Sequence, residues 1–463
     1  MFVYEKFLVD LFEHNLNKCW LFFKCMENVD LKKLSENRTF IEDVFKKKTK
    51  NVELAGWVHN TRDLSKVRFI ILKDMTGMIQ IAGVKGKTSD DVFSEMDKIS
   101  RESVIVVKGS VVDSKQAPGG KEINPEEITV LNSADELPID IPFNSGEDSK
   151  TELPKRLDYR FLDLHRKKTQ AIFKIQATLM QGFREYMVSR KGVEANFPSI
   201  ISSSSEGGTE LFKAKYFEKD VYLSQSCQLY KQMLACSMER VFTIFTVWRA
   251  EKHNTVRHLN ESRQFDFEMA FADEFVVMDE LAKCVQYMVG MVIEKNQSDL
   301  ELLGVKLKVP TVKYMTFAET NDLLEKEGIK TDAHDLTGVG EKKLGELFPD
   351  TIVFVHDWPL KGKPFYIMPK GKDLSSGFDA IYKGMEITSG GQRVHLPDLL
   401  KERLKAKDLN PKDFKSYIDS FRYGAPPHAG WGMGVERLTM VLLGLENIRE
   451  AVMFPRDRDR LTP

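Results

Sequence analysis

The chain has 463 residues, of which 42% are hydrophobic and 30% are charged, and its 68 Lys and Arg residues nearly cancel its 69 Asp and Glu residues. This length predicts two or three domains, and the balanced charge excludes a small, wholly basic nucleic-acid-binding protein. The cysteines number five, without a CxxC pair, which argues against a disulfide scaffold or a zinc site and favours a reducing compartment, namely the cytoplasm.

Residues 1–50 are interpreted as an N-terminal extension that begins with many aromatic residues. Glu5, Asp10 and Glu13 interrupt any signal-peptide core, and no stretch of the chain reaches the roughly 20 apolar residues of a membrane span. Two interpretations remain open for the start of the chain. It is either a short amphipathic helix that packs on the body, or an upstream extension that precedes a natural start at Met26.

Short alternating strands separated by turns occupy residues 51–136. Turn-forming residues stand at 74–77 and 117–120, where the chain is expected to reverse between strands. About five strands and one helical stretch within about 85 residues predict a small Greek-key barrel of the OB type. The polar, proline-containing residues 137–156 are then a linker or hinge.

Residues 157–463 combine long helical patterns with strands that lie far apart in the sequence. Residues 170–192 have the pattern of a helix, and residues 263–273 that of a strand. Strands separated by long insertions of variable length predict an α+β domain, in which helices flank an antiparallel β-sheet. The sequence contains no internal repeat and no GxGxxG or GxxxxGKT phosphate loop.

One segment with chemical potential follows the strand that ends near residue 248. Arg249 and Glu251 are two positions apart and therefore face the same side of an extended chain, and Arg257 and His258 lie in the next loop. The planar guanidinium of arginine suits a carboxylate or a phosphate. Alone, however, an Arg-x-Glu pair is more often a surface ion pair than part of a catalytic site.

Two further segments are similarly ambiguous when each is taken alone. Glycine-rich residues 430–437 place Arg437 at the head of an apolar helix, where an unpaired buried charge is costly. Residues 384–393 offer Glu386 and Ser389 as oxygen ligands for Mg²⁺, and Arg393 follows a Gly-Gly turn.

Together these segments resemble motifs 2 and 3 of class II aminoacyl-tRNA synthetases. Motif 1 would be the long helix through Gly192 together with the string NFPSI, which contains Pro198. From about residue 51 onward, the resemblance is closest to the aspartyl-, asparaginyl- and lysyl-tRNA synthetases (subclass IIb). The strings RLDYRFLDL, EGGTELFKAKYF, EITSGGQR and FRYGAPPH are similar to those of the archaeal and eukaryotic aspartyl-tRNA synthetases.

The resemblance implies ATP-dependent activation of L-aspartate, followed by transfer of the aspartyl group to the 3′ end of tRNA(Asp). Arg249 and Arg437 are the implied catalytic residues, which neutralise phosphate charge. Glu386 and Ser389 are the implied ligands of Mg²⁺. The implied ATP-binding residues are Arg249, Glu251, Arg257, His258, Glu386 and Arg437. The resemblance also implies a homodimer built around motif 1.

The implied amino-acid pocket contains two cations, Lys231 and Arg393, which face the β-carboxylate of the substrate, and Asp266, which braces them. A neutral amide in that place would leave charge unpaired, at a cost of roughly 1–3 kcal/mol, so the sequence favours aspartate over asparagine. The implied aspartate-binding residues are Glu206, Ser226, Gln228, Lys231, Arg249, Gln264, Asp266, Ser389 and Arg393. Glu206 belongs to a glycine-containing loop that is expected to close over the substrate.

The barrel is expected to bind the anticodon. By the resemblance, Phe69 stacks on a base, and Gln80 and Glu122 make further contacts. Without the resemblance, the barrel core would be the first assignment for Phe69. His59 and Pro118 align with two positions that separate strict from relaxed enzymes, and they resemble the relaxed type, which also aspartylates tRNA(Asn).

Three other functions compete with this interpretation. Lys231 and Asp266 oppose an asparaginyl-tRNA synthetase. An ammonia-dependent asparagine synthetase reuses the same catalytic fold but lacks an OB-fold, which this chain is predicted to have. A non-catalytic tRNA-binding paralogue would usually have lost the motif arginines, whereas Arg249 and Arg437 are both present.

Overall fold

The structure, a computed structural model, describes residues 29–202 and 211–463 of the chain. They fall into two compact units, one that ends at Phe143 and one that begins at Asn144. Helices and strands occur in both units without regular βαβ alternation, which confirms the predicted α+β class. In the part of the chain that the structure describes, no helix combines the length and the apolar character needed to cross a membrane.

The first unit is a barrel with short helices. In chain order, its elements are α1 (Leu31–Asn37), α2 (Ile41–Lys46), β1 (Asn51–Asp63), β2 (Val67–Lys73), β3 (Met78–Val84), α3 (Asp90–Glu95), β4 (Val104–Asp113) and β5 (Lys121–Asn132). The five strands close in the order β1-β2-β3-β5-β4. Only the β3–β5 pair is parallel among the neighbouring pairs described. This is the five-stranded barrel that the sequence predicts.

Alternation along the barrel strands separates an inner from an outer face. The inner side chains of Leu54, Ile70 and Ile81 are at most 1% exposed and pack in one core. Ile41 and Val44 of α2 belong to the same core. Helix α2 therefore contributes to the barrel although it precedes the first strand.

The second unit is organised around one large sheet. Its strands are β6 (Val193–Glu194), β7 (Ile200–Ile201), β8 (Lys213–Tyr216), β9 (Lys219–Leu223), β10 (Arg240–Trp248), β11 (Glu261–Ala270), β12 (Thr311–Thr316), β13 (Thr351–His356), β14 (Pro369–Lys370), β15 (Leu374–Ser375), β16 (Gly377–Tyr382), β17 (Met385–Gln392) and β18 (His428–Gly434). The main sheet has the order β12-β13-β16-β17-β18-β11-β10-β6.

The predicted antiparallel sheet is found in the six strands from β13 to β10 in that order. The two outermost pairs, β12–β13 and β6–β10, are parallel. A parallel pair needs a crossover connection, and β12 is joined to β13 by a helical segment, residues 317–347. The long insertions in the sequence thus add parallel strands at the edges.

The helices of the second unit are α4 (Leu153–Asp158), α5 (Arg160–Asp163), α6 (Lys167–Ser189), α7 (Gln228–Met238), α8 (Glu274–Lys295), α9 (Gln297–Leu303), α10 (Phe317–Lys326), α11 (Gly338–Leu347), α12 (Pro397–Lys405), α13 (Lys415–Ser420) and α14 (Val435–Leu443). Helix α6 is the predicted long helix, and it begins and ends three residues earlier than the pattern indicates. Its residues Ile175, Leu179 and Phe183 are spaced by four and fully buried, so they form the apolar stripe that packs against the sheet.

Strand β11 shows how the sequence assigns one face of the sheet to the core and the other to a cleft. The apolar alternate residues Phe265, Phe267 and Met269 are buried in the main core. The polar residues between them, Gln264, Asp266 and Glu268, must face the opposite side. On the neighbouring strand, a Cβ at Gly430 would lie 2.2 Å from Glu268 Oε2, so this close approach requires glycine.

Candidate active site

A cleft of about 180 Å³ lies on the polar face of the main sheet. It brings together every described residue that the sequence assigned to aspartate, ATP or metal binding. These residues are Ser226, Gln228, Lys231, Arg249, Glu251, Arg257, His258, Gln264, Asp266, Glu386, Ser389, Arg393 and Arg437. Glu206 lies outside the described residues.

One end of the cleft, here called the amino-acid end, is formed by two buried ion pairs. Lys231 Nζ lies 2.7 Å from Asp266 Oδ1 and 2.9 Å from the Trp431 carbonyl oxygen. Arg393 holds Glu268 with two hydrogen bonds, of 2.9 Å from Nε and 3.2 Å from Nη2. All four charged side chains are at most 3% exposed. These hydrogen bonds orient the two cations. Removal of either partner of a pair would leave a buried charge alone, which is costly.

Glu268 was missed by the sequence analysis, although the same alternation that places Gln264 and Asp266 on the cleft face could have found it. Its presence changes the argument for amino-acid choice, because two carboxylates now balance the two cations. The remaining argument for aspartate is the direction of the hydrogen bonds, because Lys and Arg side chains can only donate them. Within the described residues, Arg393 Nη1 has no hydrogen-bond partner. A carboxylate, which only accepts, suits these donors better than an amide.

The opposite end, here called the nucleotide end, carries partly exposed side chains whose distances to neighbouring carboxylates are long. Arg249 Nη1 lies 3.8 Å from Glu251 Oε1, and His258 Nε2 lies 3.9 Å from Glu251 Oε2. Arg257 lies 3.6 Å from Glu341. The side chains of Arg249, Arg257 and His258 are 34–38% exposed. Burial lowers the pKa of His258, so its imidazole is neutral near pH 7.

Arg437 stands in the first turn of α14, where its Nη1 donates to the Glu386 carbonyl oxygen at 3.3 Å. Burial, together with the nearby Asp379 carboxylate, raises the pKa of Glu386 to about 7. Asp379 was also missed by the sequence analysis. It lies opposite Ser389 in the β16–β17 register and accepts a 2.7 Å hydrogen bond from the Ser389 hydroxyl.

The oxygen groups of Glu386 and Ser389 fit a hard divalent cation. Burial and then the Asp379 carboxylate raise the pKa of Glu386, and a bound cation would offset both by stabilising the ionised carboxylate. No group of three or more His, Cys, Asp or Glu side chains able to hold a metal occurs within residues 29–202 and 211–463. Glu386 and Ser389 offer one carboxylate and one hydroxyl, and Mg²⁺ is usually bound by one or two carboxylates together with substrate phosphates and waters.

In the barrel, three predicted anticodon-binding residues share one face. Phe69 and Ile71 alternate with the core residues of β2, and Gln80 pairs with Ile71 across the sheet. Gln80 Nε2 donates to Glu122 Oε2 at 2.8 Å. Phe69 is therefore on the outer face and not in the barrel core, which was its first assignment from the pattern alone.

His59 and Pro118 are placed differently from each other. Pro118 is exposed in its turn, but His59 is 5% exposed and its Nε2 lies 2.8 Å from the Phe143 carbonyl oxygen. The β1–β2 register shifts between Val58 and Asn60, and such a bulge changes the face to which a side chain points. The His59 ring is thus covered by the protein, and its role in anticodon choice stays a prediction.

A five-stranded barrel and an antiparallel sheet with an arginine-lined cleft are the features of a class II aminoacyl-tRNA synthetase. The family model for class II tRNA synthetases (D, K and N) matches residues 152–458, and that for the OB-fold nucleic acid binding domain matches residues 52–131.

The similar proteins define the group more closely. The aspartate--tRNA(Asp/Asn) ligase of Methanocaldococcus jannaschii is 46% identical over 418 residues, which cover 89% of this chain and 94% of that protein. That of Archaeoglobus fulgidus is also 46% identical, with 89% and 96% covered. The crystal structure of asparaginyl-tRNA synthetase from Pyrococcus horikoshii complexed with asparaginyl-adenylate has a TM-score of 0.87 and 33% identity, with 92% of this chain and 100% of that chain covered.

The chain belongs to the class II tRNA synthetases of the aspartate, lysine and asparagine group, and within it to the family of aspartate–tRNA ligases that includes these archaeal relatives. It is therefore an aminoacyl-tRNA synthetase, an enzyme class that uses ATP with Mg²⁺. The fold alone does not select the amino acid, because the asparaginyl enzyme has the same architecture.

Proposed function

We propose that this enzyme activates L-aspartate with ATP and transfers it to both tRNA(Asp) and tRNA(Asn). The observation that carries the choice of amino acid is the pair of buried, donor-only side chains, Lys231 and Arg393. The β-carboxylate of aspartate accepts from both. The side-chain NH₂ group of asparagine is itself a donor, so it would face a donor of the protein without forming a hydrogen bond. This favours aspartate over asparagine, the main alternative.

The nucleotide end supplies positive charge where the triphosphate would lie. Arg249, at the nucleotide end, would contact the α-phosphate and the substrate carboxylate that attacks it. Arg437 would hold the γ-phosphate, with Arg257 and His258 beside it and Glu251 on the adenine. Glu386 and Ser389 would hold Mg²⁺, which supplies further positive charge to the phosphates.

The proposal of relaxed tRNA choice is supported by the relatives, whose names include both tRNA(Asp) and tRNA(Asn). In the barrel, the outward Phe69, Gln80 and Glu122 form a surface on which a base can stack and hydrogen-bond. Pro118 is exposed and could border the third anticodon base. His59 would influence that base only through the residues that cover it.

We further propose a homodimer and the domain borders 1–50, 51–136, 137–156 and 157–463. Three apolar side chains at and after the end of α6 support the dimer, since Val188, Val193 and Ile200 are 45–62% exposed. A single species of about 53 kDa in light scattering at micromolar protein would contradict it. A cytoplasmic location is supported by the described cysteines, Cys227, Cys236 and Cys284, all of which are free thiols.

Two assays test the function. ATP–pyrophosphate exchange is measured with aspartate, asparagine and lysine in parallel, and only aspartate should support it. Aspartylation of purified tRNA(Asp) and tRNA(Asn) is then compared at one salt concentration, because tRNA affinity depends on salt. Exchange that is equally fast with asparagine would refute the choice of amino acid. Charging of tRNA(Asn) about a thousandfold less efficient than that of tRNA(Asp) would refute relaxed tRNA choice.

A further inference from the structure

A chain of buried hydrogen bonds runs behind the amino-acid end of the cleft, and it starts at a main-chain carbonyl. His428 Nδ1 lies 2.9 Å from the Pro426 carbonyl oxygen. Because a carbonyl oxygen only accepts, Nδ1 must carry the hydrogen. Once Nδ1 carries it, the Nε2 atom of a neutral ring can act only as an acceptor.

The surroundings keep the His428 ring neutral. The residue is fully buried, and this burial lowers the pKa of His428. Arg393 and His395 lower the pKa further, while Glu268 and the hydrogen bond to Pro426 oppose the shift.

The acceptor at His428 Nε2 fixes the orientation of the Gln232 side-chain amide. Its side-chain nitrogen lies 3.0 Å from His428 Nε2, where only a donor fits, so its Oε1 must point the other way. There Oε1 accepts hydrogen bonds from Gln228 Nε2 at 2.8 Å and from the Tyr417 hydroxyl at 2.9 Å. These two bonds occupy both lone pairs of the oxygen.

The consequence appears at Gln228, which lines the cleft. Its Nε2 is engaged by Gln232, so the planar amide presents Oε1 on its other side. Within the described residues, Gln228 Oε1 has no hydrogen-bond partner. An amide oxygen at the amino-acid end suits the α-ammonium group of a substrate, since hydrogen bonds to charged groups are the stronger ones.

We propose that Gln232 and His428 are positioning residues for aspartate activation: together they fix the orientation of the Gln228 amide so that its oxygen faces the substrate's ammonium group. This inference rests on the proposed function, whose amino acid it takes as given. It adds a second layer of residues, which affects binding of the α-amino group only through Gln228.

The test compares L-aspartate with succinate, which has the same two carboxylates but no ammonium group. Binding of each to the full-length enzyme is measured by calorimetry for the wild type, Gln232→Met and Gln232→Glu. Methionine keeps the size of glutamine but neither donates nor accepts strongly, so the Gln228 amide is no longer oriented. Glutamate keeps an oxygen facing Gln228, and in its protonated form the second oxygen donates to His428 Nε2, as the glutamine amide does.

Gln232→Met should weaken aspartate binding about tenfold and change succinate binding less than about twofold, while Gln232→Glu should restore much of the preference for aspartate. Tyr417→Phe is the matched control, because it removes one buried hydrogen bond to Gln232 but leaves its orientation fixed by His428. Its ratio of aspartate to succinate affinity should equal that of the wild type. If Gln232→Met does not fold, His428→Leu provides the same comparison.

Equal weakening of aspartate and succinate in Gln232→Met would overturn the proposal, because it would show a merely structural role. Wild-type binding of both ligands in Gln232→Met would overturn it as well. Failure of the proposed function looks different, since the wild type would then show no preference for aspartate over asparagine in the exchange assay.

Discussion

The two ends of the cleft differ in how their charges are held. At the amino-acid end, Lys231, Arg393 and their carboxylate partners are at most 3% exposed and lie within hydrogen-bond distance of each other. At the nucleotide end, Arg249 and Arg257 are 36% and 38% exposed, and their nearest carboxylate oxygens are 3.6 Å or more away. The first end is organised before any substrate arrives, whereas the second is completed by the phosphates of ATP.

This difference follows from where the residues stand in the fold. Asp266 and Glu268 lie within the interior strand β11, and on β18 the glycines opposite them, Gly432 and Gly430, allow close packing. Arg249 and Arg257, by contrast, belong to the chain between β10 and β11, where fewer neighbours restrict a side chain. A buried, rigid end suits selection of one small amino acid, and an open end suits entry of ATP and exit of pyrophosphate.

The largest expected effect is at the buried end. Lys231→Met should reduce aspartate-dependent exchange by at least about a thousandfold and lower the free energy of unfolding by about 3–5 kcal/mol, because Asp266 keeps an unpaired buried charge. Exchange assays and denaturant unfolding measure the two effects. Lys283→Met, which removes a surface ion pair with Asp279, is the control and should leave both nearly unchanged. Near-normal exchange in Lys231→Met would mean that the pocket is misplaced.

Replacing a cation by methionine at the nucleotide end should reduce catalysis without reducing stability. Arg437→Met should slow exchange by about a hundredfold, since a positive charge on the phosphates is lost. Stability should change little, because the Arg437 guanidinium makes one 3.3 Å hydrogen bond to the Glu386 carbonyl oxygen. Calorimetry should show that aspartate still binds to this variant without ATP. Loss of aspartate binding would contradict the separation of the two ends.

Raising the salt concentration should have a smaller effect, which differs between the two ends of the cleft. Raising NaCl from roughly 0.05 to 0.5 M should increase the KM for ATP about threefold or more, because exposed charges are screened. The KM for aspartate should increase less, since its buried partners are shielded from solvent ions. Steady-state exchange at several salt concentrations provides both values, with sodium sulfate at matched ionic strength as the control. An equal increase in both KM values would argue against the contrast.

Much of the cleft was predictable from the sequence, because the motif segments carry its charged residues and alternation along β11 places Gln264 and Asp266 on one face. Other features depend on tertiary pairing. Asp379 joins the site only through the β16–β17 register, and Gln232 meets His428 although 196 residues separate them. The burial of His59 could not be predicted either, because a β-bulge interrupts the alternation along β1 at this residue.

The most direct test of a preorganised amino-acid end is calorimetric binding of aspartate and asparagine to the nucleotide-free enzyme. If Lys231 and Arg393 are already held in place by Asp266 and Glu268, aspartate should bind without ATP, and at least about a hundredfold more tightly than asparagine. If aspartate binds only after ATP is added, or if the two amino acids bind equally well, the amino-acid end is not preorganised for a β-carboxylate.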